Sequence, residues 1–156
     1  MLILFTTAMG FYLSRLYKAK VSLFFDMVNF CNSYEANLDF YQKNLEDFVT
    51  EFCATASIEF VLLLKNYFNV NPQEHKELFF YKIFSINLSN EQKTQIDNLF
   101  SCLGKSDVVS QKRQLVTYQY YFKKELEDAK AIYETKGKIF TKLGIVLGFF
   151  LSVLIV

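Results

Sequence analysis

The chain has 156 residues, one domain's worth, and a formal net charge of +1. That balance excludes a strong electrostatic pull toward nucleic acid. Eighteen Phe, ten Tyr, a single Pro and only five Gly leave few chain breakers, so the composition predicts an all-α protein.

The stretch Met1 to Ser14 carries no charge, and Arg15, Lys18 and Lys20 follow it. A signal peptide would want a basic start and a small-residue cleavage site, and neither is present. At 1.5 Å per residue about 14 residues span roughly 21 Å, against ~30 Å of hydrocarbon. Leu16 and Tyr17 lengthen the segment toward a minimal span. Val21, Phe24, Val28, Cys31 and Leu38 then continue an apolar stripe at helical spacing, widened by Phe25, Met27 and Phe30. The first helix is expected to run to about Asp39.

Tyr41 to Asn44 reads as a turn, with Asn44 capping a short helix from Leu45 to about Ala54 that turns Leu45, Phe48, Val49 and Phe52 inward. Ser57 caps a third helix, Ile58 to Phe68, apolar nearly all round and therefore central. The rival reading of a third membrane span fails on length, because Glu59 and Lys65 bound only five uncharged residues. Asn71-Pro72 starts a fourth helix carrying Leu78, Phe79, Tyr81, Ile83 and Phe84. Ser89 and Gln92 have capping-box spacing and open a fifth, with Ile96, Leu99, Phe100 and Leu103 inward.

Leu103-Gly104 closes that helix, since a glycine takes the left-handed conformation of a helix end. Ser106 is expected to cap the last helix, with Asp107 near its positive N-terminus. Leu115, Phe122, Leu126, Ala129, Tyr133 and Phe140 form its apolar stripe. From Leu143 to Val156 there is no charge and one hydroxyl, Ser152. Gly144 and Gly148 form a GxxxG that permits close helix approach, and the segment around Ala8 and Gly10 is its candidate partner.

The expected architecture is a six-helix antiparallel bundle whose long first and last helices extend into the membrane at both termini. The segments are 1–17 and 139–156 in the membrane and 18–138 between them. Two buried core helices are the competing reading of the ends. The basic flanks, Arg15, Lys18 and Lys20 after the first segment and Lys136, Lys138 and Lys142 before the last, face the central domain. The positive-inside rule then puts that domain in the cytoplasm.

Catalytic constellations are absent. His75 is the only imidazole and sits between Glu74 and Glu77 as a solvated residue, so Ser-His-Asp and Cys-His arrangements lack support. Cys31, Cys53 and Cys102 are far apart without a CxxC, which disfavours zinc and suits packed thiols in a reducing compartment. Gly104-Lys105-Ser106 is like the tail of a P-loop but lacks the upstream glycine and strand. Tyr118, Tyr120, Tyr121 and Phe122 beside Lys123 and Lys124 suggest base stacking, but half of them fall on the core face. The expectation is no enzyme, no cofactor, no metal, no nucleic acid and no small-molecule substrate.

Five features together resemble the stage III sporulation protein AB family of endospore-forming bacteria. The apolar start ends in Gly10-Phe11-Tyr12-Leu13 before a basic residue. The first helix closes as Leu38-x-Phe40. Asn44-Leu45 stands where the family has Pro-Leu. Leu103-Gly104-x-Ser106-Asp107 is followed by Gln111 and Leu115. The chain closes on Lys138-x-x-x-x-Leu143-Gly144 and an apolar tail. The departures are the missing Pro at Asn44 and the missing Trp in the fourth helix, where Phe80 or Tyr81 substitutes. The family is similar to the helical platform proteins of type II secretion and type IV pilus machines. The resemblance implies a non-enzymatic membrane component of the channel complex between mother cell and forespore. In that role it couples a cytoplasmic ATPase to other membrane proteins from the mother-cell membrane. The alternative is a generic two-span helical scaffold or regulatory module unrelated to sporulation.

Overall fold

A computed structural model describes residues 2–69, 86, 88–139, 142–143 and 146. Among these residues there are five α-helices and no strand: α1 (Leu2–Ala36), α2 (Leu45–Cys53), α3 (Ile58–Asn69), α4 (Asn90–Cys102) and α5 (Val108–Ile132). The expected count of six is not supported by the described residues, which hold five. The segment expected as a fourth helix, with Leu78, Phe79, Tyr81, Ile83 and Phe84, lies outside them, as does His75.

α1 is 35 residues long, roughly 50 Å at 1.5 Å per residue. Its buried positions Ala19, Leu23, Met27, Phe30 and Tyr34 recur at steps of three and four, which puts them on one face. That face packs chiefly on α5. The pair is antiparallel: Tyr17 lies against Gly137, Phe24 stacks on Phe122 at 6.2 Å, and Asp39 pairs with Lys112.

α1 ends in a widened π turn, Asn37–Tyr41. The Gln42 N–H donates to the Asn37 carbonyl at 2.7 Å, and Gln42 takes a left-handed φ of 49° that reverses the chain. Asn37 is buried and holds the returning strand of chain twice. Its Nδ2 donates to the Lys43 carbonyl at 3.0 Å, and its Oδ1 accepts from the Lys43 N–H at 3.2 Å. Asn44 then caps α2, its side chain accepting from the Asp47 N–H at 2.8 Å. The α-helical part of the first helix therefore stops at Ala36, and the turn expected to begin at Tyr41 is prepared four residues earlier.

The core has an aromatic centre. Phe30 is fully buried and meets Phe48, Phe52 and Phe100 edge-on, with centroids at 5.4, 5.3 and 5.8 Å. It also meets Phe60 of α3, so one side chain of α1 touches α2, α3 and α4. Phe122 of α5 closes the other side through Phe24, Tyr118 and Tyr121.

A second π turn, Tyr133–Gly137, follows α5, and helical backbone continues at Lys138 and Ile139. The expected extension of both long helices into the membrane gains no support. Among the described residues no helix is long and apolar enough to cross a membrane. In α1 the reason is local, because Arg15 and Lys18 interrupt the apolar stretch before it is long enough. Most of the C-terminal apolar tail lies outside the described residues.

Candidate functional site

The junction between α4 and α5 is a glycine turn feeding a helix cap. Gly104 has a φ of 70°, a conformation that costs an L residue strain, and an added Cβ would stand 3.6 Å from Leu45 Cδ2. The turn therefore rests on the start of α2. Leu103 is buried beneath it. The cap itself corrects the sequence reading: Asp107, not Ser106, is the N-cap of α5, its carboxylate accepting from the Ser110 N–H at 3.0 Å. Ser106 is an exposed bend residue. The bonds from Ser110 hold the Asp107 carboxyl below the ordinary carboxylate range.

Gln111 and Leu115 are both buried on the inner face of α5. Gln111 lies beside Tyr34, whose phenol burial pushes upward and Gln111 draws back down. Of the glycines expected in membrane packing, Gly10 is buried within α1. Gly144 and Gly148 lie outside the described residues.

Four tertiary links had no counterpart in the sequence reading. Asp26 is buried in the middle of α1 and accepts the Ser57 N–H at 2.8 Å, which fixes the start of α3. Asn37 holds Lys43 as described. Gln92, beyond its capping box with Ser89, donates to Glu125 of α5. Gly137 makes room for α1 and for the Tyr133 ring: an added Cβ would fall 3.4 Å from Tyr17 Cβ and 2.6 Å from that ring. The available signal was a polar or small residue at a core-facing position of an apolar stripe.

Burial, then Cys102 and Glu35, pushes the Cys31 thiol up to about 12, so it stays protonated and unreactive. Among the described residues no group of His, Cys, Asp and Glu is arranged to hold a metal ion. The groove of about 410 Å³ between Ser33, Asn37, Tyr41, Lys43, Glu51 and Thr55 is open, and its two charged groups, Lys43 and Glu51, pair with each other at 2.5 Å.

What the described residues do present is a pole of exposed apolar side chains at the end of the α1–α5 pair opposite the Tyr17–Gly137 contact. The Asp39–Lys112 ion pair at 2.6 Å joins the π turn after α1 to the first turns of α5. On the turn, Phe40 is 81% exposed and Tyr41 69%. On the helix, Val109 is 67% exposed, Val108 is half exposed, and Val116 and Tyr120 continue its solvent face at helical spacing. Gly104 and Asp107 stand at the start of the same helix, α5, as the turn before it and its N-cap.

A family model for stage III sporulation protein AB matches residues 1–156, the whole chain. The chain belongs to that family. Its sporulation role follows from the membership. Searches of curated proteins and of solved structures return no match for this stage III AB chain.

Proposed function

We propose that this stage III AB protein is a non-enzymatic membrane component of a channel complex between mother cell and forespore, and that it couples a cytoplasmic ATPase to the membrane parts. Residues 1–17 and 139–156 hold it at the mother-cell membrane by their apolar side chains, and 18–138 form the cytoplasmic body.

The observation that supports the reading is the division of labour between the two ends. The chain termini are apolar with basic flanks, and the opposite pole carries Phe40, Tyr41, Val108 and Val109 in the open. Apolar side chains displayed together on a body with a well-filled aromatic core fit a protein surface. In this reading the pole meets the ATPase, and antiparallel α1 and α5 carry strain between it and the membrane end.

The test is genetic. The gene is deleted in its native host, the cells are starved, and heat-resistant spores are counted. Spores are expected to fail after engulfment and to return with the wild-type gene. A Phe40→Ser, Val109→Ser variant is expected to accumulate to wild-type level yet leave spores absent. Full spore counts from that variant would sink the assignment of the pole, and full counts from the deletion would sink the channel role itself.

A further inference from the structure

The sixteen acidic residues of the chain all lie between Asp26 and Glu134. Residues 1–25 and 135–156 contain six basic side chains, Arg15, Lys18, Lys20, Lys136, Lys138 and Lys142, and no acidic one. In sequence these are two separate groups. In the fold they are one, because the antiparallel pair sets Tyr17 against Gly137, with Tyr17 Cβ 3.4 Å from the position of an added Cβ. At 1.5 Å per residue, Arg15 to Lys20 and Lys136 to Lys142 each occupy roughly 8–9 Å of helix. They therefore form a single collar around the helix pair.

The collar's charges point outward. Arg15, Lys18, Lys136, Lys138 and Lys142 are exposed. Lys138 is paired with Glu134, and Lys20 is half withdrawn, over the Phe24 ring and toward Glu125. Arg15, Lys18, Lys136 and Lys142 make no ion pair among the described residues. On the terminal side of the collar Tyr12, Leu143 and Val146 are exposed apolar side chains, and Ile139 is exposed within it. Basic groups bordering apolar and aromatic ones is the order of layers at a bilayer surface, phosphate outside and hydrocarbon inside.

We propose that this collar is a docking surface for anionic phospholipid headgroups, with Arg15, Lys18, Lys136 and Lys142 as its contact residues. The proposal rests on the membrane reading above and adds a lipid preference to it. The apolar ends supply attachment to any bilayer; the collar makes attachment to an anionic one stronger and salt-sensitive. A Lys or Arg at such a surface contributes roughly a fivefold gain in partitioning.

The test uses the full chain and flotation with two vesicle types, one of phosphatidylcholine and one with about a quarter phosphatidylglycerol. Partitioning onto the anionic vesicles is expected to exceed that onto the neutral ones by at least roughly tenfold at low salt. The advantage is expected to fade as ionic strength rises toward ~0.5 M, where screening shortens to a few ångström. A combined Arg15→Gln, Lys18→Gln, Lys136→Gln, Lys142→Gln variant with unchanged far-UV circular dichroism is expected to bind neutral vesicles as before and to lose the anionic advantage. Equal partitioning of the wild type onto the two vesicles, or an advantage retained by the variant, overturns the collar and leaves membrane attachment standing. Failure to bind either vesicle overturns both.

Discussion

Phe30 is the side chain on which α1, α2, α3 and α4 converge. It has no exposed surface and sits among Phe48, Phe52, Phe60 and Phe100, three of them edge-on between 5.3 and 5.8 Å. Phe→Ala in a core costs about 3–5 kcal/mol, transfer and cavity terms together. The edge-on pairs each add about 0.5–1.5 kcal/mol beyond area, and four helices converge here, so the site cannot collapse by moving one side chain. The expected loss is about 4–5 kcal/mol for Phe30→Ala, out of a total of about 5–15 kcal/mol for a domain. Phe40→Ala is the matched control. The residue change is the same, but the ring is 81% exposed, and the expected change stays within about 0.5 kcal/mol. Urea unfolding of the full chain in mild detergent, followed by far-UV circular dichroism, reads both. A loss under about 1 kcal/mol for Phe30→Ala would refute the convergence of helices on this ring.

Three further outcomes are expected. Gly104→Val forces an L residue into a φ of 70° and lowers stability by about 1–2 kcal/mol in the same unfolding assay; an unchanged midpoint would mean that the junction needs no left-handed residue. Asp107 has a folded pKa depressed by its cap bonds, so its contribution is present above the unfolded carboxyl pKa and disappears as pH falls through the folded one. Asp107→Ala should therefore lower Tm at neutral pH and converge with wild type in acid, and a Tm difference independent of pH would contradict the cap. Cys31, held protonated by burial with its pKa pushed up to about 12, should be the last of the three thiols to react with iodoacetamide near pH 8; mass spectrometry showing it alkylated as fast as Cys53 would place it outside the core.

Helix starts were legible because capping is local chemistry. Asn44, Ser57 and the Ser89–Gln92 box all act on N–H groups three residues ahead, and each caps the helix read from it. The last helix shows the limit of that logic. Ser106 and Asp107 are both competent caps, and local composition does not say which one faces the free N–H groups; in the fold it is Asp107. The apolar stripes of α1 and α5 were legible as well, since burial repeats with the helical period. Asp26 was not, because its partner, Ser57, lies 31 residues away and only the packed fold brings them together. Neither π turn was legible: a single extra residue in a helical turn leaves the local composition unchanged. The exposed pole escaped for the opposite reason, since Phe40 and Val109 look in sequence like any other core residue.

The π turn at Tyr133–Gly137 has a consequence for how this chain tolerates changes of length. An α-helix turns by about 100° per residue, and the widened turn absorbs one residue that a regular helix would count. Deleting any single residue between 133 and 137 would let the backbone relax to an ordinary helix with its later side chains still in phase with α1. Inserting one within α5 would rotate Lys138 and Ile139 by about 100°. The π turn thus works as a vernier: it sets the azimuth of Lys138 and Ile139 independently of the stripe that packs the body. Variation in length along this stage III AB chain should accordingly gather at that turn and at the 42–44 reversal rather than along the helices between them.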